Sequence, residues 1–172
     1  MIRPVFFCLV VNLALVTNLY AQTPYTVSKD EKHPEVTVLT GIVTKYALQN
    51  YDLFSWYTSN QAIYEPAPEI VKAMELAKDN VQFVVFGGTW CEDTQFIIPR
   101  FFKLQELSGF PDKNISFFAV NRSKVTLGNI TSAFRVTNVP TIIVMKDGKE
   151  TGRIVEYGKT GKWDAELAEL LK

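Results

Sequence analysis

Apolar residues fall into two kinds of run along the chain. The first kind is short, continuous and rich in β-branched and aromatic residues. Val81, Phe83, Val84, Val85 and Phe86 form one such run, and Ile115, Phe117, Phe118, Ala119 and Val120 form another. Runs of this length bounded by turn residues predict buried strands. Residues 141–146 and 152–157 predict a further pair, joined through Asp147-Gly148, a strong hairpin signal. Residues 35–39 alternate around Val36 and Val38 and predict a short strand that Gly41 ends.

The second kind of run has helical spacing. Ile70, Val71, Met74 and Ala77 make an apolar stripe behind Pro68, which suits a first helical turn. Phe96, Ile97, Phe101, Phe102, Leu104 and Leu107 make a second stripe, ended by Gly109-Phe110-Pro111. Pro99 removes a backbone N–H inside it and predicts a kink. Residues 126–134 predict a weak helix, because Gly128 and β-branched residues lower its propensity. Residues 163–171 predict a last amphipathic helix carrying Leu167, Leu170 and Leu171. Upstream, Thr44 caps a short helix through Asn50, and Asp52 starts another through residue 62. Tyr46, Tyr51, Phe54, Trp56, Tyr57 and Tyr64 cluster there, either as packing or as an apolar wall above a site.

The N-terminus has a different pattern. Arg3 precedes an apolar run over 5–16 that Asn12 interrupts, and Ala21 is a small residue just beyond it. This predicts a cleavable signal peptide over 1–21, a mature start at Gln22, and a periplasmic or secreted protein. The alternative is an uncleaved membrane anchor, although the run is short against the roughly 20 apolar residues a spanning helix needs. Cleavage also removes Cys8, leaving Cys91 as the only cysteine and no internal disulfide. Residues 22–34 read as a polar linker and 35–172 as one domain, with an extension over 35–66 and a core over 68–172.

Composition narrows the function classes. Lys and Arg total 18, as do Asp and Glu, so net charge gives no case for nucleic acid or anionic membrane as partner. A hydrophobic content of 47% with 13% aromatic residues argues against disorder. His33 is the only histidine and reads as a surface-loop residue. One histidine and one mature cysteine cannot assemble a metal site, so no metal is expected.

The candidate chemistry sits where a strand pattern turns into a helix pattern. After Gly87-Gly88-Thr89-Trp90 comes Cys91, at the first turn of the helix. Helix starts carry unpaired N–H groups and partial positive charge, which favour the nucleophilic thiolate form of a cysteine placed there. Glu92 and Asp93 suit the helix start, yet carboxylates beside a thiol disfavour its anion. Thr94, one turn on, is expected to face the sulfur and donate a hydrogen bond to it.

These residues resemble the thioredoxin superfamily. Trp90-Cys91 is similar to the family's Trp-Cys pair, and Pro99 to the proline of its active-site helix. Val139-Pro140-Thr141 resembles its cis-proline loop, and Asp147-Gly148 its hairpin turn. The segment from Gly87 to Thr94 looks most like exported bacterial thioredoxin-like proteins with a WCxD[ST] motif. The resemblance spans residues 68–172. It implies an α/β thioredoxin-like fold, a mixed central sheet flanked by helices on both faces, in the order β-α-β-α-β-β-α. It also implies a cis bond at Pro140, a Val139 backbone that pairs with an extended client, and a Trp90 that shelters the thiol. Trp90, Val139, Pro140 and Thr141 are thus the expected client-binding residues, with Cys91 and Thr94 the catalytic ones.

Two departures bear on function. The family's Cys-x-x-Cys reads Cys91-Glu92-Asp93-Thr94, and its buried Asp six residues before the first cysteine is Val85. Both groups that serve a second thiol are missing together. The expected function is therefore monothiol exchange through Cys91, of isomerase, reductase or deglutathionylation type. Its partners would be a protein or small-molecule disulfide client and an external resolving thiol, with no cofactor, and the chain is expected to be a monomer. The alternative is a redox-inactive thioredoxin-fold module that holds a protein client.

Overall fold

The computed structural model describes residues 24–172. The signal segment expected over 1–21, with Cys8, lies outside the described residues. The apolar runs build one six-stranded sheet. β1 (Tyr25–Lys29) and β2 (Thr37–Val43) pair antiparallel, followed by the short α1 (Lys45–Leu48), α2 (Tyr51–Ala62) and α3 (Pro68–Ala77). Then come β3 (Gln82–Gly87), α4 (Glu92–Ser108), β4 (Ile115–Ala119), α5 (Ile130–Ala133), β5 (Thr141–Lys146), β6 (Lys149–Val155) and α6 (Trp163–Leu170). Strand order across the sheet is β1-β2-β4-β3-β5-β6. Only β3 and β4 run parallel; every other neighbouring pair is antiparallel.

Alternation along β3 sorts the core. Phe83 and Val85 point into the larger cluster, with Phe101, Phe117 and Ile142. Val84 and Phe86 point the other way, toward Val120, Val139 and Ile143. This is the two-residue period of a strand covered on both faces. Residues of α2, α3, α4 and α6 fill the larger cluster. The smaller face is covered by loops and one helical turn, because the weak helix expected over 126–134 shrinks to α5. Gly128, at φ +54°, stands outside helical geometry.

Two sequence expectations need correction at the sheet edge. The stretch read as a linker over 22–34 contains β1. Four of its five residues are exposed, so no apolar alternation marks it, and its backbone pairing with β2 holds it in place. Gly41, expected to end β2, lies inside it opposite Tyr25. It adopts φ +133°, and a Cβ there would overlap the Pro24 carbonyl oxygen, so the hairpin closes only around glycine. α4 continues through Pro99 to Ser108.

In the extension, Phe54, Trp56, Tyr57 and Tyr64 serve as packing. Phe54 and Tyr57 are buried in the larger core, and Tyr64 packs on Trp163 while its hydroxyl donates to Asp164 at 2.7 Å. Beside them, the buried Lys45 ammonium donates to Gln105 at 2.8 Å and pairs with Glu106 and Asp112 at 3.1 and 3.2 Å.

Candidate active site

Sheet register gathers the site at one end. Parallel pairing sets Gly87 of β3 beside Ala119 of β4, so the loop after β4 emerges next to the loop after β3. Antiparallel pairing sets Phe86 opposite Thr141, which brings the start of β5, with Val139 and Pro140, to the same end. β2 runs antiparallel to β4, so its leading residue Thr37 arrives there too.

Cys91 is the N-cap residue of α4, with extended backbone at φ −99°, ψ 124°. Its thiol is half-buried and donates to Val139 O at 3.2 Å. The Val139–Pro140 bond is cis. Thr141 Oγ1 donates to Asn138 O at 2.7 Å and Glu156 N to Pro140 O at 2.8 Å, which pin the loop on both sides. Cys91, Val139, Pro140 and Thr141 thus stand in one neighbourhood.

Trp90 lies alongside. Its indole N–H donates to Val120 O at 2.9 Å, and its ring lies so close over Gly88 that a Cβ there would come within 2.6 Å of it. The Arg122 guanidinium sits 4.8 Å from the ring centroid and the Lys124 ammonium 5.6 Å.

Thr94 is placed differently from its expected role. It is 1% exposed, and its hydroxyl accepts the Gly88 N–H at 3.2 Å instead of donating to the sulfur. The strand-to-helix turn leaves that N–H buried, and an unpaired buried donor costs about 1–3 kcal/mol. Thr94 therefore acts on the turn that carries Cys91. Of the two acids, Asp93 lies near the Tyr157 phenol: burial pushes that phenol upward, and the Asp93 charge pushes it further.

Three site residues have no signal in the sequence. Thr89 Oγ1 donates to Thr37 O at 2.8 Å and accepts Leu39 N at 3.2 Å, stitching the active-site turn to β2. Arg122 Nε binds Asp30 Oδ2 at 2.6 Å across 92 positions of chain. The Asp30 side chain is 1% exposed, and its Oδ1 accepts the N–H groups of Lys32 and His33 at 2.9 and 2.8 Å. The result is an open cleft of about 570 Å³ between the β1–β2 turn and the start of α4. His33, expected as an ordinary surface residue, lies on its wall. Of Tyr46, Phe54, Trp56, Tyr57 and Tyr64, none lines this cleft, so these five aromatics form no wall above the thiol. Among the described residues no group of three His, Cys, Asp or Glu side chains could hold a metal ion.

The Asp30–Arg122 pair has a testable pH signature. The Arg122 hydrogen bond outweighs burial, and the two turn N–H groups add to it, so the Asp30 carboxyl is held below its usual range. A carboxyl lowered on folding stabilises fully above its unfolded value, about 4, and loses that effect as pH falls through the lower folded value. Asp30→Asn is therefore expected to be less stable than wild type at pH 7, with the gap closing below about pH 4. Urea unfolding of both proteins at pH 7 and pH 3 measures it. An equal gap at both pH values would remove the ion pair as its cause.

A cysteine at a strand–helix junction, facing a proline-loop carbonyl, places the chain in the general class of thiol-disulfide oxidoreductase-like proteins. The chain belongs to the thioredoxin family, whose family model matches residues 68–169. It is 34% identical over 85 residues to thioredoxin of Staphylococcus saprophyticus, covering 46% of this chain and 75% of that one. It is 29% identical over 80 residues to thioredoxin-1 of Saccharomyces cerevisiae, covering 46% and 72%. The crystal structure of oxidised thioredoxin O2 from Arabidopsis thaliana superposes with a TM-score of 0.39 at 24% identity, covering 60% of this chain and 84% of that one.

Proposed function

We propose that this protein is an exported monothiol thiol–disulfide exchange protein that works through Cys91 without a metal or cofactor. One observation carries the reading: a half-buried thiol at the helix start, 3.2 Å from Val139 O, with Thr94 in place of a second thiol. The Cys91 thiolate attacks one sulfur of a client disulfide. A Cys91–client disulfide forms, and the other client sulfur leaves as a thiolate and takes a proton. The client's own thiol can then attack back, which isomerises it, or an outside thiol can displace it. Val139 offers its backbone to the client strand and Trp90 shelters the linkage. The core over 68–172 carries the chemistry, and the protein acts as a monomer.

Exposure to oxidised glutathione tests this. The mature wild type, from Gln22, is expected to gain one glutathione on Cys91 by mass spectrometry and to keep it, because no internal thiol releases it. Cys91→Ser is expected to gain none. If the folded wild type takes up no glutathione, a thioredoxin-fold binding module becomes the better reading. Export belongs to the same proposal. Protein recovered outside the cytoplasm of its own cell is expected to begin at Gln22, and a chain beginning at Met1 would sink that part.

A further inference from the structure

The cleft beside Cys91 has a second wall that the exchange steps above do not use. His33, Glu35 and Val36 of the β1–β2 turn form it, facing Trp90, Cys91 and Arg122. The turn is held in place. Asp30 N donates to Val36 O at 2.9 Å, Asp30 Oδ1 accepts His33 N at 2.8 Å, and Asp30 Oδ2 accepts from Arg122 at 2.6 Å. His33 Nδ1 lies 3.4 Å from Glu35 Oε1.

Val139 and Pro140 do not line this cleft, although Val139 O touches the sulfur. The sulfur thus borders both the Val139 carbonyl and the cleft. Thiolate attack on a disulfide passes through three sulfurs set roughly in line. With a client sulfur bonded to Cys91, an entering thiol has to arrive opposite that bond. The cleft's volume of about 570 Å³ lies within the range of small-molecule sites, roughly 300–1,000 Å³.

We propose that this cleft admits the outside thiol, a small-molecule thiol of glutathione size, and that His33 is the general base that takes its proton. The proposal rests on the monothiol reading and names that reading's second substrate. The entering R–SH gives its proton to the His33 imidazole as its sulfur bonds to Cys91 Sγ. The bond from Cys91 to the client sulfur breaks, and the client thiolate takes the proton. A second R–SH, deprotonated in the same way, attacks the R sulfur. R–S–S–R departs and Cys91 is left as the thiol. Two small thiols are oxidised to one disulfide, and the client disulfide is reduced to two thiols.

The test separates loading of Cys91 from its release. Cys91 is converted to its mixed disulfide with thionitrobenzoate by Ellman's reagent, in wild type and in His33→Gln. Displacement by reduced glutathione is then followed by absorbance. The His33 side chain is 59% exposed, so the substitution leaves the core untouched. Loading is expected to agree within about twofold, and release to slow about 100-fold or more, the low end of general-base effects. Equal release rates overturn the role of His33. So does equal slowing of both steps, since His33 would then act on Cys91 or on the shape of the site. A wild type that never loads overturns the thiol reading itself, a result separate from either of these.

Discussion

Thr94→Cys is expected to abolish the persistent glutathione adduct and to raise disulfide reductase activity by about tenfold or more, since an intramolecular thiol replaces one that must diffuse in. Position 94 lies one helical turn from Cys91, directly beneath the turn that carries it. A thiol there can attack a mixed disulfide on Cys91 and close an internal one. Two features of the structure limit the gain. Sulfur is a weak acceptor, so the Gly88 N–H loses its oxygen partner, at a cost of about 1 kcal/mol. Val85, fully buried where the family carries an acid, supplies no proton acceptor to the new thiol. Turnover should therefore stay below that of a dithiol thioredoxin. The measurements are mass spectrometry after oxidised glutathione and an insulin-type reductase assay, with Cys91→Ser as the silent control. If wild type turns over as fast as Thr94→Cys, release by outside thiols is already efficient and the missing cysteine limits nothing.

Phe83→Ala is expected to destabilise the fold by about 3–5 kcal/mol, the range for deleting a large buried aromatic side chain. Phe83 is 1% exposed at the start of β3. Its ring meets Phe101 of α4 edge-on, with centroids 5.3 Å apart, and Phe110 beyond the end of α4 at 4.9 Å. The ring thus joins the central strand to the helix that Cys91 caps. Truncation leaves a void that the strand and helix can close only by moving toward each other, and the sheet register resists that movement. Urea unfolding should show a lower midpoint with little change in slope, because the surface exposed on unfolding is nearly the same. A loss below about 1.5 kcal/mol would mean that the core refills the site and that this contact does not hold α4 against β3.

Most of the half of the chain that holds Cys91 was legible in the sequence. The runs at 81–86 and 115–120, the Asp147-Gly148 hairpin and the Pro68 helix start all reflect local forces: burial of β-branched residues, turn conformations and helix ends. Cys91 between a strand pattern and a helix pattern was visible for the same reason. β1 was not, because an exposed edge strand draws its stability from a partner's backbone and leaves no apolar period behind. Gly41 looked like a terminator because a glycine that ends a strand and one that permits close backbone approach look alike in sequence.

The direction of the Thr94 hydroxyl was also beyond local reasoning. Helical spacing aims it at the sulfur, but the buried Gly88 N–H, set by the end of β3, takes it instead. His33 is the clearest case. By sequence it is a lone polar residue in a loop, 58 positions before Cys91. Antiparallel pairing of β2 with β4 brings that loop to the active end, and Asp30 and Arg122 hold it there from positions 92 residues apart. Sequence alone determined the place of Cys91 at a helix start, the absence of a cysteine at position 94 and the strands of the core, since each depends on neighbours a few residues away. Only the tertiary structure decided what surrounds the thiol, because register and long-range ion pairs bring together groups whose spacing along the chain carries no period.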